Sequence, residues 1–266
     1  MSADADLLSL QGRVAFVTGA GQGVGRETAL FFAAHGARAV LVNDFHADRA
    51  QAVADEVRAL GSQAITVVGD ITDYAALSAR LTEAVAEAGG GLHVVVNNAG
   101  NAGPHPGLTA LPPFWQTEPA EWQLWLGTNL YGVLNVCRIA VPLMIEAGGG
   151  SIVNVISDAG RVGEAHLAVY SAAKAGAAGF GRALAKGVGA HRIRVNSVAL
   201  GSIQTPGVAQ RFDDPEAMKR LLRQYMLRRV GQPKDAASMI LFLASDASSW
   251  ITGQTYPVNG GYAISQ

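Results

Sequence analysis

The chain has 266 residues, of which 49 % are apolar, and its 20 Lys and Arg against 21 Asp and Glu leave a formal net charge of −1. That balance excludes a global electrostatic attraction to nucleic acid. A single cysteine, Cys137, excludes an internal disulfide. The N-terminus lacks a leader-peptide layout, and no uninterrupted apolar run reaches about eighteen residues. We therefore expect a cytoplasmic protein with no membrane partner.

Short apolar runs alternate with longer amphipathic segments along the whole chain, which predicts an α/β fold. Strands are predicted at residues 14–18, 39–43, 64–68, 93–97, 151–156, 194–198 and 254–258. Helices are predicted at residues 24–35, 47–60, 73–88, 119–147, 168–190, 214–228 and 233–245. Most strand candidates are continuously apolar, as parallel strands covered on both faces are. No linker interrupts the alternation, so we predict one domain over residues 1–266: a doubly wound, mainly parallel seven-stranded sheet with helices on both faces.

Two long segments interrupt this alternation, and residues 1–10 are expected to form an N-terminal tail. Residues 101–119 are rich in proline and are long for a connection between a strand and a helix. Residues 201–231 follow the sixth strand. Ligands of open α/β sheets bind beyond the carboxyl ends of the strands. We therefore predict that residues 201–231 form a substrate lid and that residues 101–119 form a wall of the same site.

A glycine-rich turn joins the first strand to the first helix. The apolar run ending at Val17 is followed at once by T-G-A-G-Q-G-V-G at residues 18–25, with the spaced glycines Gly19, Gly23 and Gly25. Glycines let the backbone approach a pyrophosphate closely, and a helix N-terminus offers free N–H groups and partial positive charge. The spacing differs from G-x-G-x-x-G, but its place between strand and helix predicts dinucleotide binding.

The residue after the second strand indicates which dinucleotide binds. A carboxylate at Asp44 can accept both ribose hydroxyls of NAD and would repel the 2′-phosphate of NADP. An NADP site would favour a nearby cation, whereas the glycine turn carries neutral Gln22. We therefore expect NAD. Asn43 is the alternative ribose contact, since the register is open by one residue, and Asp44 alone is compatible with a helix cap or a turn.

Three polar residues suit proton transfer at a carbon–oxygen group. Tyr170 and Lys174 are four residues apart and so share a helix face. A nearby ammonium group favours the phenolate and lowers the pKa of the phenol, which is about 10 when free. The Ser157 hydroxyl could hold an alcohol or carbonyl oxygen beside that phenol. The alternative is an ordinary pair on a solvated helix face.

These motifs in this order resemble the short-chain dehydrogenase/reductase family, single-domain type, over about residues 12–261. The other matching pieces are G-D-I-T-D at 69–73, N-N-A-G at 97–100, T-N-L-Y-G at 128–132, S-I-V-N-V-I-S at 151–157, R-V-N-S-V at 194–198 and T-G-Q-T-Y-P-V-N-G-G at 252–261. The resemblance implies a Rossmann fold, with Tyr170 as acid/base, Ser157 holding the substrate oxygen, and Lys174 on the nicotinamide ribose and the tyrosine. It also implies that Asn129 takes part in a water relay for protons.

The resemblance also implies the cofactor contacts. They are Gly19, Gln22, Gly23, Val24, Gly25, Asp44, Asp70, Ile71, Asn98, Ala99, Gly100, Tyr170, Lys174, Gly201, Ile203 and Thr205. Asp70 could instead cap the next helix, and residues 97–100 could have a purely structural role. The family usually has Pro-Gly after the sixth strand, whereas this chain has Leu200-Gly201. Because proline fixes φ, the backbone leading to Thr205 is less restrained here than in the family.

The substrate is argued from the residues expected around the site. Trp115, Trp122 and Trp125 could line an apolar pocket, although the last two are spaced for helix packing. Lys219 and Arg223 share a helix face that could receive the phosphates of a coenzyme A ester, or simply be solvated. His166 is a candidate substrate contact, whereas Arg161 and Glu164 are expected to be solvated loop charges. The six histidines show no ligand spacing, so we expect no metal.

The expected protein is an NAD-dependent oxidoreductase that interconverts a secondary alcohol and a ketone on a bulky apolar small molecule. Its loops look like those of actinobacterial relatives acting on hydroxysteroids or 3-hydroxyacyl-CoA esters. The alternatives are an epimerase or dehydratase that retains NAD, and a dinucleotide-binding protein without turnover. The helix at 119–147 is apolar on more than one face and that at 168–190 is rich in small residues, so we expect a homotetramer.

Overall fold

The computed structural model describes residues 6–100, 112–206 and 214–264. Its strands are β1 Val14–Val17, β2 Ala39–Asp44, β3 Gln63–Val68, β4 Val94–Asn97, β5 Gly150–Ser157, β6 Ile193–Leu200 and β7 Thr255–Val258. They form one sheet in the order β3-β2-β1-β4-β5-β6-β7, and every neighbouring pair is parallel. Each strand ends within two residues of its predicted position, and the predicted α/β fold is confirmed.

Nine α-helices lie in the described part of the chain. They are α1 Gly23–Ala34, α2 Ala47–Ala59, α3 Tyr74–Glu87, α4 Pro119–Leu126, α5 Gly132–Glu146, α6 Ala159–Val162, α7 Ala168–Val188, α8 Pro215–Arg223 and α9 Pro233–Ala244. Helices α1, α2 and α9 cover one face of the sheet, and α3, α5 and α7 cover the other. Alternate residues of one strand enter opposite cores, since Ala15 packs with the first group and Phe16 with the second. Burial on both faces explains the continuous apolar runs.

The predicted helix at 119–147 is interrupted. Residues Gly127–Tyr131 form a π-helical turn between α4 and α5, and within it the Asn129 amide Nδ2 donates to the Trp125 carbonyl at 2.9 Å. Part of this stretch, Pro119–Glu146, is by length and composition apolar enough to cross a membrane, although it contains no uninterrupted apolar run of about eighteen residues. Val136 and Cys137 belong to this stretch and are buried in the hydrophobic core, as expected of a core helix.

Two further boundaries differ from prediction. The helix predicted at 214–228 ends at Arg223, and Arg228 has a left-handed φ of +52°, which does not continue a helix. The predicted N-terminal tail is not wholly loose, because Leu10 is fully buried and its N–H donates to the His35 carbonyl. Parts of three predicted segments lie outside the described residues: 1–5 of the tail, 101–111 of the wall and 207–213 of the lid.

Candidate active site

A cleft of about 1450 Å³ lies at the carboxyl ends of the strands, where the strand order reverses between β1 and β4. Most predicted site residues line it. They are Gly19, Gln22, Gly23, Val24, Asp44, Asp70, Ile71, Asn98, Ala99, Gly100, Ser157, Tyr170, Lys174, Gly201, Ile203 and Thr205. Gly25 and Asn129 lie behind this wall rather than in it. The cleft therefore brings together the two halves of the predicted site, the glycine turn and the polar trio.

The glycine turn has a shape that suits a dinucleotide. Gly19 and Gly23 have left-handed φ values of +59° and +57°, which favour glycine. A Cβ on Gly25 would lie 2.2 Å from the Gly19 carbonyl oxygen, so no larger residue fits there. A Cβ on Gly23 would lie 3.0 Å from Thr205 Cγ2, which places the turn against the start of the predicted lid. Since α1 begins at Gly23, its N-terminal N–H groups face this turn.

The end of β2 separates the two candidate ribose contacts. Asn43 is buried, and its Nδ2 donates to the carbonyls of Val67 and Gly69, so it joins β2 to the end of β3. Asp44 is the last residue of β2, and its two oxygens accept from the N–H groups of Gly21 and His46. This arrangement favours Asp44 over Asn43 as the ribose acceptor.

Asp70 is not the cap of the following helix. The cap of α3 is Asp73, whose side chain accepts from Ala76 N–H. Asp70 is exposed on the cleft and accepts from Thr72 N–H at 2.8 Å. The helix-cap alternative for Asp70 is therefore wrong, and its carboxylate remains available to the cleft.

The sequence analysis missed Arg49 at the cofactor end of the cleft. A Cβ added to Gly21 would lie 2.5 Å from Asp44 Oδ2 and 2.6 Å from Arg49 Cβ, so both residues pack on the turn. Arg49 also lines the cleft. The sequence argument for NAD noted only the neutral Gln22 of the glycine turn, whereas the first turn of α2 brings Arg49 back to the end of β2. A guanidinium suits a phosphate, so Asp44 and Arg49 have opposite preferences for the ribose 2′ substituent.

The polar trio is assembled from β5 and α7. Ser157 is the last residue of β5, and its Oγ accepts from Ala159 N–H at 3.2 Å. Lys174 Nζ lies 5.8 Å from the centre of the Tyr170 ring and donates to the Val155 carbonyl at 3.0 Å. Lys174 is only 4 % exposed, and this burial lowers the pKa of its ammonium from 10.5 to about 8. A solvated helix face therefore does not describe Lys174.

Asn129 stands behind the trio. It is fully buried in the π-helical turn, a deformation often found at functional sites. A Cβ added to Gly100 would lie 2.9 Å from Asn129 Oδ1 and 3.3 Å from Lys174 Nζ. Gly100 thus separates the ends of two polar side chains that approach the cleft from different helices. No spacing in the sequence indicated this close approach.

The other wall of the cleft is polar and highly connected. Asp158 pairs with Arg161 at 2.6 Å and accepts from Asn259 Nδ2 at 2.7 Å. Glu164 accepts from the Tyr262 hydroxyl at 2.5 Å. The expectation that Arg161 and Glu164 are solvated loop charges is wrong for both. Tyr262, which bonds to Glu164, and Asn259, which bonds to Asp158, belong to the segment after β7, which the sequence analysis did not connect with the substrate side of the site.

The three predicted pocket tryptophans lie in different environments. Trp125 is buried and meets the Tyr170 ring edge-on, with 5.9 Å between ring centres. Trp122 stacks on Phe114, and these side chains with His166 and Tyr170 border a small niche beside the cleft. Trp115 is largely exposed. His166 therefore lies near the site, and its role as a substrate contact stays a prediction.

The basic residues of α8 point elsewhere. Lys219, Arg220 and Arg223 are exposed, whereas the described cleft residues from this segment are Leu221, Gln224 and Tyr225. The described wall thus gives no support to a coenzyme A phosphate contact at Lys219 and Arg223. Among the described residues, no group of three or more His, Cys, Asp or Glu side chains is placed to hold a metal ion.

Known proteins share both the sequence and this architecture. The family model described as Enoyl-(Acyl carrier protein) reductase matches residues 19–263. A 7alpha-hydroxysteroid dehydrogenase of Escherichia coli (strain K12) is 36 % identical over 258 residues, 97 % of each chain. A solved 7 alpha-hydroxysteroid dehydrogenase, complexed with NADH and 7-oxo glycochenodeoxycholic acid, gives a TM-score of 0.89 at 36 % identity and covers 98 % of both chains.

A second solved structure widens the range of cofactors and substrates. A gluconate 5-dehydrogenase from Burkholderia cenocepacia J2315, in complex with NADP and tartrate, gives a TM-score of 0.88 at 30 % identity. The match covers 97 % of this chain and 99 % of that one. The relatives thus include complexes with either nicotinamide dinucleotide. Sequence, fold and site together show that the chain belongs to the short-chain dehydrogenase/reductase family and is an oxidoreductase.

Proposed function

We propose that the protein is an NAD-dependent dehydrogenase that interconverts a secondary alcohol and a ketone on a bulky, largely apolar substrate through Ser157, Tyr170 and Lys174. The observation that carries this proposal is the buried Lys174 ammonium beside the Tyr170 ring at the cleft. A protein that only binds a dinucleotide needs no such pair, and burying a charge costs free energy that a binding role would not require.

Each residue of the trio has a distinct part in the reaction. A nicotinamide dinucleotide bound in the cleft would accept or supply the hydride. Ser157 holds the substrate oxygen, and Tyr170 takes the proton from the alcohol in oxidation and returns it in reduction. The Lys174 charge would favour the phenolate form of Tyr170, which suits its proposed part as a base. Asn129, packed near Lys174 across Gly100, completes the relay that we propose for protons.

NAD is proposed as the cofactor because Asp44 ends β2 at the cleft. Its carboxylate, bonded to Gly21 N–H, would accept the ribose hydroxyls and repel a 2′-phosphate. Arg49 is the opposing feature, since it could pair with that phosphate. We give Asp44 the greater weight because two N–H groups fix its carboxylate in place.

A hydroxysteroid-type substrate fits the cleft better than a 3-hydroxyacyl-CoA ester. Leu167, Leu200, Leu221 and Tyr225 add apolar surface to the substrate half, beside its polar group of Asp158, Glu164 and Tyr262. The basic residues of α8 are outside the described wall, so the phosphates of coenzyme A would find no partner there. The related 7alpha-hydroxysteroid dehydrogenase supports the same class.

We also propose a homotetramer. Leu124, Tyr131 and Ile145, on or between α4 and α5, are large apolar residues that remain exposed in the single chain. Helix α7 carries several glycines and alanines on its surface, which permits close approach of a second copy.

The experiment that tests the function is a spectrophotometric screen of secondary alcohols, hydroxysteroids and 3-hydroxyacyl-CoA esters with NAD and NADP. Net NADH formation identifies a dehydrogenase, whereas an epimerase or dehydratase would convert substrate without it. Tyr170→Phe is expected to lower turnover about 10²–10⁴-fold while NADH still binds. Tyr74→Phe, exposed at the start of α3, is the control and should change neither. Near-wild-type turnover of Tyr170→Phe, with chemistry limiting the rate, would contradict the assignment.

A further inference from the structure

The wall opposite the glycine turn carries a carboxylate held by a phenol. Glu164, in the loop between α6 and α7, accepts from the Tyr262 hydroxyl at 2.5 Å, and both side chains line the cleft. A distance this short is typical of a hydrogen bond to a charged oxygen. The bond to Glu164 and partial burial raise the pKa of Tyr262 above its usual range, so Tyr262 remains a donor at neutral pH.

The surroundings of this pair keep it in place. The Tyr262 ring stacks on Tyr225, with 5.3 Å between ring centres. Tyr225 is buried, and its hydroxyl accepts from Ser202 N–H at 2.8 Å. Asn259, at the start of the same C-terminal segment, is bonded to Asp158, which follows Ser157. Glu164 is thus held on a wall that is connected to β5 and β6, as a specificity site requires.

The pair still has capacity to bind a ligand. Within the part of the chain that the structure describes, no side chain or N–H group donates to Glu164 Oε2. The cationic or titratable-nitrogen side chains on the described cleft wall are Lys174, Arg49 and His46, and the last two lie at the cofactor end. Lys174 is thus the described cation on the substrate half of the wall, and none of the described ion pairs involves Glu164, so Glu164 presents an acceptor oxygen and a negative charge to the cleft.

We propose that Glu164 is a specificity-determining residue that binds a second hydroxyl group of the substrate, and that Tyr262 positions it. A hydroxyl can donate to Glu164, whereas a carboxylate at the same place would be repelled and would leave its own charge unpaired. A site built for a hydrogen-bonding group discriminates strongly against an analogue that lacks it. This inference rests on the proposed function and restricts its substrate to a neutral, doubly hydroxylated molecule.

The test uses three probes of one skeleton: androstanediol, androstanol, which lacks the second hydroxyl, and the matching hydroxyandrostane carboxylic acid. Their dissociation constants are measured on the NADH-saturated protein, which needs no turnover, and their KM and kcat values are measured with NAD. Wild type is expected to bind the diol about tenfold or more tightly than androstanol, since hydrogen bonds to charged groups are the stronger class. It should bind the carboxylic acid more weakly than androstanol.

Glu164→Gln removes the charge with little change in shape. It should weaken diol binding about tenfold and strengthen binding of the acid, whereas the affinity for androstanol, which has no second hydroxyl, should change little. Tyr262→Phe should lower the ratio of diol to androstanol affinity in the same direction, whereas a merely structural loss would weaken the binding of all three probes alike. Glu216→Gln, exposed on α8, is the matched control and should behave as wild type.

The outcomes separate this inference from the proposed function. If wild type binds the probes but turns over no alcohol with either dinucleotide, the dehydrogenase function fails. If the ratio of diol to androstanol affinity is the same in wild type and Glu164→Gln, or if wild type binds none of the probes, the specificity role of Glu164 is overturned.

Discussion

Lys174→Met is expected to change how the stability of the nucleotide-free protein depends on pH. Burial lowers the pKa of the Lys174 ammonium from 10.5 to about 8. At pH 7 the lysine is protonated in both the folded and the unfolded chain. Keeping that charge in the folded interior then costs about 3 kcal/mol, at about 1.4 kcal/mol for each pKa unit. The hydrogen bond from Nζ to the Val155 carbonyl offsets only part of the free-energy cost of removing the ammonium from water.

The sign of the effect follows from where the proton is bound. Between pH 8 and pH 10.5 the folded lysine has lost its proton while the unfolded lysine retains it. The free energy of unfolding therefore rises with pH in this interval and falls as pH drops through about 8. From pH 7 to pH 9 the wild type should gain about 1 kcal/mol relative to Lys174→Met. Cys137, whose pKa burial raises to about 12, acts in the opposite direction but is present in both proteins and cancels.

The assay is urea unfolding of both proteins, free of nucleotide and at one protein concentration, at pH 7, 8 and 9. Lys186→Met is the matched control, since Lys186 lies near the end of the same helix but is exposed. It should follow the wild-type pH dependence. Parallel curves for wild type and Lys174→Met would refute the reasoning, because they would mean that the buried ammonium keeps its ordinary pKa.

Three other predictions concern the cofactor, the packing behind the site and the assembly. Asp44→Ala should weaken the binding of NAD and strengthen the binding of NADP, as measured by their dissociation constants. Adding Arg49→Ala should remove the gain in NADP affinity. If wild type binds NADP more tightly than NAD, the proposed role of Asp44 is rejected. Gly100→Ala should lower kcat at least about tenfold with an unchanged circular dichroism spectrum, because its Cβ would press on Asn129 and Lys174; unchanged kcat would count against this packing. Light scattering should give four times the 27.6 kDa chain mass, and a stable monomer would contradict the tetramer.

The fold was predictable because a parallel strand buried on both faces has a recognisable sequence pattern, a continuous apolar run. A strand such as β1, covered by helices on both faces, needs an apolar residue at every position, and Val14–Val17 provides one. The π-helical turn at Gly127–Tyr131 leaves no comparable mark. The side chain of Asn129 within it donates to the Trp125 carbonyl, but the composition of the segment suits a continuous helix equally well.

Site residues were predictable where the fold places them by rule and missed where only tertiary contacts do. Asp44 and Ser157 end strands, and the ends of parallel strands meet at one edge of the sheet. Glu164 and Tyr262 are 98 positions apart in the chain, and nothing near either one indicates the other. Arg49 lies in a helix whose pattern is that of an ordinary surface helix, and only the return of that helix to Gly21 brings it to the cleft.

For Tyr170 and Lys174, the sequence predicts that the two side chains share a helix face, and the structure shows that the lysine is buried. Four residues on a helix guarantee a shared face, but the same spacing occurs where that face meets water. Depth decides between the two, and depth is set by β5, whose Val155 carbonyl receives the lysine. A lysine on a solvated face costs almost nothing, whereas one that is 4 % exposed and has a lowered pKa destabilises the nucleotide-free chain at neutral pH. Stability alone would favour an apolar residue there, so a buried charge beside a phenol at the cleft supports the proposed reaction.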